Sequence, residues 1–306
     1  MRVVKTVAGD GVGGVVALET TLLVHGVPGD AAMGLHRELG EIVRGAGAEP
    51  ALVGVVGGEA RVGMSDEELG GMLERAEGSA NAVPKANAAN LGVLMHWGAW
   101  AATTVSATME LAAGAGVRVF ATGGLGGVHR GYGCALDVSS DLAALTRYPV
   151  AVVCSGVKSI LDVAATREAL ETLGVPVVGW GTDEFPAFYQ RRMGGVNGVD
   201  ARFDGVGELA GYVKGELVRT GRAVVVANPV PGEWEIPAER FDGWLERIEE
   251  EAEEAGVSGR GVTPFVLGRL HEVSAGETLR ANVALVKSNA RLAGELARAM
   301  AEGAAG

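Results

Sequence analysis

Two residues in this chain pair reactive chemistry with a position that could use it. Lys158 follows the apolar run Val150 to Cys154 and the turn Ser155-Gly156-Val157. Apolar residues then recur at helical spacing at Ile160, Leu161, Val163, Ala164, Leu170 and Leu173. Lys158 is thus expected between a buried strand and a helix, at the strand end where open α/β sheets bind ligands. A lysine held there against apolar neighbours loses its proton more readily and becomes a nucleophile. The plain alternative is a solvated lysine at a helix start, although a cation there opposes the helix dipole. Glu19 is the second residue. It interrupts the apolar run Val15 to Val24, which reads as a strand buried on both faces. A buried carboxyl has a raised pKa and suits acid work near neutrality.

A third concentration of functional groups follows the strand-like run Val117 to Ala121. Gly123, Gly124, Gly126 and Gly127 come first, then His129, Arg130 and Asp137. The loop is not Walker A, because no GK[ST] is present, and His129 stands where GxGxxG needs its last glycine. Ser139 or Ser140 can cap a helix from Asp141 to Thr146, whose N-terminus favours anions. A ligand loop is the reading preferred over a surface loop with a solvated Arg and Asp. Gly9, Gly11 and Gly14 do satisfy GxGxxG, but a strand-like run follows where a dinucleotide fold needs a helix. The segment Ser79 to Asn90 has no pattern and carries Lys85; irregular segments often hold functional groups.

Around these groups the chain alternates strands with helices. Asp30 to Ala46 reads as a helix, and ALVGVVGGEARVGM as a hairpin turning at Gly57-Gly58. Ser65 and Glu68 form a capping box. Helices are expected over Thr103–Ala115, Asp204–Thr220, Glu239–Gly256 and Glu277–Ala301, with strands over Val175–Trp180 and Ala223–Ala227. Asn282 and Asn289 lie one heptad apart on the last helix. The alternation predicts an α/β fold, read as a single domain over residues 1–306.

Composition narrows the function classes. The 306 residues are 48% hydrophobic, enough for a substantial core, and the net charge of −12 argues against general nucleic-acid or membrane-surface binding. A phosphorylated small substrate needs only a local pocket and stays open. No apolar run approaches the ~20 residues of a membrane span. The two cysteines, Cys134 and Cys154, have neither metal-type spacing nor a disulfide framework. Cys154 reads as a core thiol, and a reducing cytoplasm is the expected compartment.

The blocks VALETTLLVHGVP, RVFATGGLGGVHRG, DVSSDL, CSGVKSILD, ANPVP and TPFVL…LRANVALVKSNA occur in order over nearly the whole chain. Together they resemble the pseudouridine-5′-phosphate glycosidases, also called indigoidine-synthase A-like proteins. The resemblance implies an α/β/α sandwich with a mixed, mainly parallel central sheet, assembled as a homotrimer. It implies opening and closing of the C–C bond between ribose 5-phosphate and a base carbon, through a ring-opened sugar held as a Schiff base on lysine. By the same resemblance Lys158 is that lysine, Glu19 the proton donor, and Lys85 a second lysine on the substrate. Ser139, Ser140 and Asp141 form the substrate-binding segment, and Val105 binds through its backbone. His129 and Asn282 also match substrate-binding positions, Asn282 near the base. Asp137 matches the carboxylate that holds a divalent ion, Mn2+ by expectation, through water.

Two segments depart from the family pattern. After Lys85 stands the uncharged run Ala86 to Gly92, where members carry charge and proline. Before the ATTV block stands MHWGAWA, with Trp97 and Trp100. Neutral drift accounts for these as well as a functional change does. The functional version predicts a larger, flatter and more apolar acceptor than uracil. On that basis the sequence is read first as a C-glycosynthase joining ribose 5-phosphate to an aromatic, polyketide-like acceptor. The alternative is pseudouridine-5′-phosphate glycosidase itself. A binding protein that only holds a phosphosugar is disfavoured by the joint presence of Glu19, Lys85, Asp137 and Lys158.

Overall fold

A computed structural model describes residues 3–5, 14–79, 82–131, 133, 136–193, 198–257 and 262–302. Gly9 and Gly11 of the N-terminal glycine motif, and Cys134, lie outside the described residues.

The N-terminal half contributes β1 (Val3–Lys5), β2 (Val15–Glu19), a π-helix (Leu22–Gly26), α1 (Gly29–Gly45), β3 (Glu49–Val56), β4 (Glu59–Val62) and α2 (Asp66–Gly78). Then come β5 (Lys85–Ala86), α3 (Leu91–His96), β6 (Ala101–Thr103), α4 (Val105–Gly114), β7 (Val119–Ala121), β8 (Val128–His129) and α5 (Ser140–Leu145). The C-terminal half adds β9 (Ala151–Cys154), β10 (Leu161–Asp162), α6 (Val163–Thr172), β11 (Val177–Trp180), β12 (Ala201–Phe203), α7 (Val206–Thr220) and β13 (Val224–Ala227). Helices α8 (Ala238–Glu254), α9 (Val262–Val273) and α10 (Glu277–Glu302) close the chain.

The main sheet runs β1-β4-β3-β2-β7-β9-β13-β11-β12, with β6 on β3 and β5 on β6. From β3 through β12 every neighbouring pair on this path is parallel; the β3–β4 hairpin and the β3–β6 pair are antiparallel. The hairpin turns at Gly57 and Gly58, both at positive φ, as expected for a two-residue loop. The Ser65–Glu68 capping box is present at α2. Side chains alternate across the sheet. Val16 and Leu18 of β2 and Ala151 and Val153 of β9 pack under the layer holding α1, α7 and α10. Ala17 of β2 and Val152 and Cys154 of β9 pack against α4, α5 and α6. Strands buried on both faces are what a covered parallel sheet requires, so the expected α/β/α sandwich is the observed architecture. Among the described residues no helix is long and apolar enough to cross a membrane.

Two local expectations change. The apolar run from Val15 does not continue as a strand to Val24; the strand stops at Glu19 and the chain turns into the π-helix. Glu19 is therefore a strand terminus rather than an interruption, because Thr20 and Thr21 leave the ladder to bond β3 and β6. Thr20 Oγ1 donates to Val53 O at 2.9 Å and Thr21 Oγ1 to Thr103 O at 2.7 Å. Lys158 likewise does not start a helix. A turn and the short strand β10 intervene, and Asp162 caps α6 by accepting the Ala165 N–H at 2.9 Å. The helix dipole is thus met by a carboxylate, and the lysine sits on a connecting loop.

That loop depends on Gly156. Its φ is +80°, and a β-carbon there would lie 1.7 Å from the Pro186 carbonyl oxygen. The clash is with backbone, so no rotamer relieves it. Gly156→Ala is expected to destabilise the fold by about 3 kcal/mol or more, through strain and overpacking. A denaturant midpoint within error of wild type would show that the loop adapts.

Candidate active site

The parallel strands β2, β7, β9 and β13 end within one residue of a common level, and the residue after each end is polar: Thr20, Thr122, Ser155 and Asn228. All four are buried, so each must find hydrogen-bond partners. Asn289, fully buried on α10, serves three of these strand ends. Its Nδ2 donates to Thr122 O at 2.8 Å and to Ser155 Oγ at 3.1 Å, and its Oδ1 accepts from Asn228 Nδ2 at 2.9 Å. In the sequence Asn289 reads as an ordinary polar helix residue; only the packing of α10 across the sheet gives it this role.

Glu19 ends β2 on this edge. Thr122 Oγ1, one strand away, donates a short hydrogen bond to Glu19 Oε1. Burial raises the Glu19 pKa above the ordinary carboxylate value, with Asp141 pushing the same way; Lys158, the Thr122 hydrogen bond and Lys85 pull against it. Lys158 lies two strands from Glu19, on the loop after β9. Its backbone N–H donates to Leu125 O at 3.1 Å, while its side chain is exposed. Lys85, on β5, is set by β5–β6 pairing and by Asn90, whose Nδ2 donates to Lys85 O at 3.0 Å. Its amine is depressed, first by desolvation and then by the charge of Lys158, although part of the side chain is open to solvent. Two of the chain's five lysines thus act on each other and on Glu19, and neither forms an ion pair among the described residues.

The glycine loop is stitched to the lysine loop. Ser155 N donates to Gly123 O and Leu125 N to Gly156 O, each at 2.9 Å. A third layer, the segment around Phe188, closes on both: Phe188 N donates to Ser155 O at 2.8 Å, and Gly156 bridges Ala187. Phe188 has φ +59°, a strained conformation for a bulky residue, and its ring fills the space that a side chain on Gly124 would need. Phe188 lies in no motif, and Thr122 stands in the RVFATGGLGGVHRG block without being singled out, so sequence reading missed both.

The other expected residues are placed as follows. Asp141 is buried, and both its oxygens accept backbone N–H groups, from Ser106 at 3.0 Å and Gly126 at 2.8 Å. It braces the glycine loop against α4. Ser139 caps α5 through Asp141 N at 3.2 Å, and Ser140 Oγ meets Ser106 Oγ at 2.9 Å. Val105 opens α4, and the Thr104 side chain does not cap that helix. Asn282 projects from α10 toward Gly123; its Oδ1 is buried and has no hydrogen-bond partner among the described residues. His129 is half-buried, with Nδ1 3.7 Å from Asp137 Oδ2.

The expected manganese ion on Asp137 is overturned. Among the described residues no group of three His, Cys, Asp or Glu side chains could hold a metal ion. Asp137 is exposed, and among the described residues His129 is its single ion-pair neighbour. That donor set falls short of the several oxygen ligands a hard divalent cation takes. Trp97 is 74% exposed at the end of α3, and Trp100 lies under the Arg75 guanidinium, 3.9 Å from ring centroid to Cζ. An open groove of about 670 Å³ along α10, between Trp234, Val283 and Arg291, is not lined by Lys85, Lys158 or Glu19.

A raised carboxyl, a depressed amine and an accessible second amine on one sheet edge suit proton transfer coupled to imine formation. Residues 4–299 match the family model of indigoidine synthase A like protein. The chain is 46% identical over 285 residues to the pseudouridine-5′-phosphate glycosidase of Solibacter usitatus (strain Ellin6076), covering 92% of this chain and 93% of that protein. An indigoidine synthase A-like protein of Thermotoga maritima superposes with a TM-score of 0.85 at 40% identity, covering 96% of this chain and 95% of that one. The prealnumycin C-glycosynthase AlnA, solved in complex with ribulose 5-phosphate, superposes with a TM-score of 0.86 at 32% identity, covering 95% and 93%.

Proposed function

The chain belongs to the indigoidine synthase A-like family and is an enzyme of C-glycosidic bond chemistry; from that premise we propose that it is a pseudouridine-5′-phosphate glycosidase. The observation that carries this reading is the convergence of Lys158, Lys85 and a pKa-raised Glu19 on one strand edge. In the cleavage direction the Lys158 amine bonds to C1′ of the sugar as the C1′–O4′ bond breaks. Glu19 gives O4′ its proton and is recharged by the proton that Nζ sheds. The nitrogen lone pair then forms the iminium, the C1′–C5 electron pair returns to uracil, and C5 is protonated. Water hydrolyses the iminium to ribose 5-phosphate and frees the amine. The lysine is needed because a C–C glycosidic bond has no leaving-group heteroatom to protonate.

Lys85, the first turn of α4 at Val105 and the Ser139–Ser140 segment supply cation, N–H and hydroxyl donors for the 5-phosphate. The unpaired Asn282 Oδ1 suits an N–H of a pyrimidine ring, since a buried acceptor without a partner is costly until a ligand supplies one.

This ordering reverses the one taken from the sequence, which put an aromatic-acceptor synthase first. The glycosidase relative is more similar to this chain than the synthase is. The two tryptophans invoked for a flat acceptor contact solvent and Arg75. Trp97→Ala and Trp100→Ala are therefore expected to leave kcat/KM for pseudouridine 5′-phosphate within about twofold. The deciding assay mixes ribose 5-phosphate with uracil or with polycyclic phenols. Product from uracil supports the glycosidase; product from phenols alone, lost in either Trp variant, restores the synthase.

A further inference from the structure

The ladder between β2 and β7 pairs Val16 with Val119, Ala17 with Phe120 and Leu18 with Ala121. One step further, Glu19 and Thr122 stand side by side on the two strands, and residues matched in this way point to the same face. Leu18 and Ala121 turn to the side of α10. Glu19 and Thr122 therefore turn to the side of α4 and α5, as Ala17 and Phe120 do. Strand register aims the threonine hydroxyl at the carboxyl, and a slip of one residue would put it on the far face of the sheet.

Thr122 is held on every side. Its N–H donates to Val153 O at 3.0 Å, and its carbonyl accepts from Asn289 Nδ2 at 2.8 Å. The side chain is buried, and β-branching makes it stiff at χ1. A hydroxyl has one proton to give, and Glu19 Oε1 takes it. That proton has to be given, because a buried donor left without an acceptor is costly. Oε1 therefore acts as a lone-pair oxygen. A proton carried by the carboxyl belongs on Oε2, to which the described residues make no hydrogen bond. Glu19 is only half-buried, so the carboxyl keeps an open side.

We propose that Thr122 is the positioning residue of this acid: by occupying Oε1 it fixes the transferable proton on Oε2, the oxygen left for substrate. This rests on the reading of Glu19 as the proton donor. Oε2–H gives its proton to O4′ as the C1′–O4′ bond breaks. The negative charge left on the carboxyl is shared with Oε1, and the bond from Thr122 strengthens as the carboxylate forms. Thr122 thus favours the carboxylate from β7, as the charges of Lys158 on its loop and Lys85 on β5 do, while Asp141 on α5 opposes it. These three are the charged groups that act on Glu19 among the described residues.

Infrared difference spectra between acidic and alkaline buffer contain the C=O stretch of each titrating carboxylic acid, and the Glu19 band is the one missing in Glu19→Gln. A hydrogen bond to the carbonyl oxygen lowers this stretch. The wild-type band is therefore expected below that of an unbonded carboxylic acid. It should move up in Thr122→Val, which keeps the shape of the side chain and removes the donor, and stay in place in Thr122→Ser. Thr122→Val should lose about tenfold in kcat for pseudouridine 5′-phosphate, the worth of one hydrogen bond to a charge, with KM within about twofold. Its alkaline limb should shift to higher pH, because the carboxylate has lost a donor that favoured it. Thr122→Ser should restore both. A wild-type band at the unbonded position overturns the proposal, and that reading needs no variant to fold. A band unmoved in Thr122→Val, or equal losses in the valine and serine variants, overturns it too. If Glu19→Gln removes no band at all, the reading of Glu19 as proton donor falls instead.

Discussion

Lys158→Ala is expected to abolish turnover of pseudouridine 5′-phosphate, by at least about 10⁴-fold in kcat, because the variant has no amine to bond C1′. The same change should leave stability within about 0.5 kcal/mol, since the side chain is exposed and makes no ion pair among the described residues. The loop is held by backbone contacts, Lys158 N to Leu125 O and Leu161 N to Lys158 O, that the substitution keeps. Lys158→Arg should be as inactive, because a guanidinium stays protonated and cannot attack. Borohydride reduction in the presence of ribose 5-phosphate should label wild type at position 158 and label neither variant. A Lys158→Ala protein with wild-type kcat ends the covalent mechanism.

Glu19→Gln is expected to lower kcat by roughly 10²–10⁴-fold, the usual worth of a positioned acid, and at the same time to stabilise the folded protein above neutral pH. The sign follows from the raised pKa. Between the unfolded and folded pKa values the native state holds a proton that the unfolded state has lost. Stability therefore falls as pH rises through that interval, and the contribution is fully present only below the unfolded value. Glutamine keeps the acceptor for Thr122 Oγ1 and removes the cost of a buried negative charge. Wild-type melting temperature should thus drop more steeply between acidic and alkaline buffer than that of Glu19→Gln. Wild-type activity should fall over the same interval as the acid loses its proton. Parallel melting profiles for the two proteins would show that Glu19 is not held in its protonated form.

The stabilising hardware around these two residues is mostly polar and mostly distant in sequence. Asn289 ties three strand ends from α10, and Asp141 ties the glycine loop to α4. Both are buried side chains bonded at both ends of their polar heads, an arrangement that fixes geometry more than it adds net stability. The proposed catalysis by positioning needs that rigidity, because the amine, the carboxyl and the proposed anion donors arrive on different elements.

The sequence by itself determined the elements whose signals are local. The α1 helix, the β3–β4 hairpin, the Ser65–Glu68 box and the long α10 were all legible, because periodicity and capping act over a few residues. It also marked Glu19 and Lys158 as unusual, through their motifs, and Lys85 through its place in an irregular segment. Tertiary structure alone decided that these three meet, because positions 19, 85 and 158 converge only through the strand order β2-β7-β9 and the β3–β6–β5 branch. It also ended β2 at Glu19, laid Trp100 under Arg75 and left Asp137 with too few donors for a metal. None of these leaves a trace in local spacing. Each depends on which distant backbone groups satisfy one another's hydrogen bonds once the sheet has formed, and a linear pattern of apolar and polar residues carries no record of that pairing.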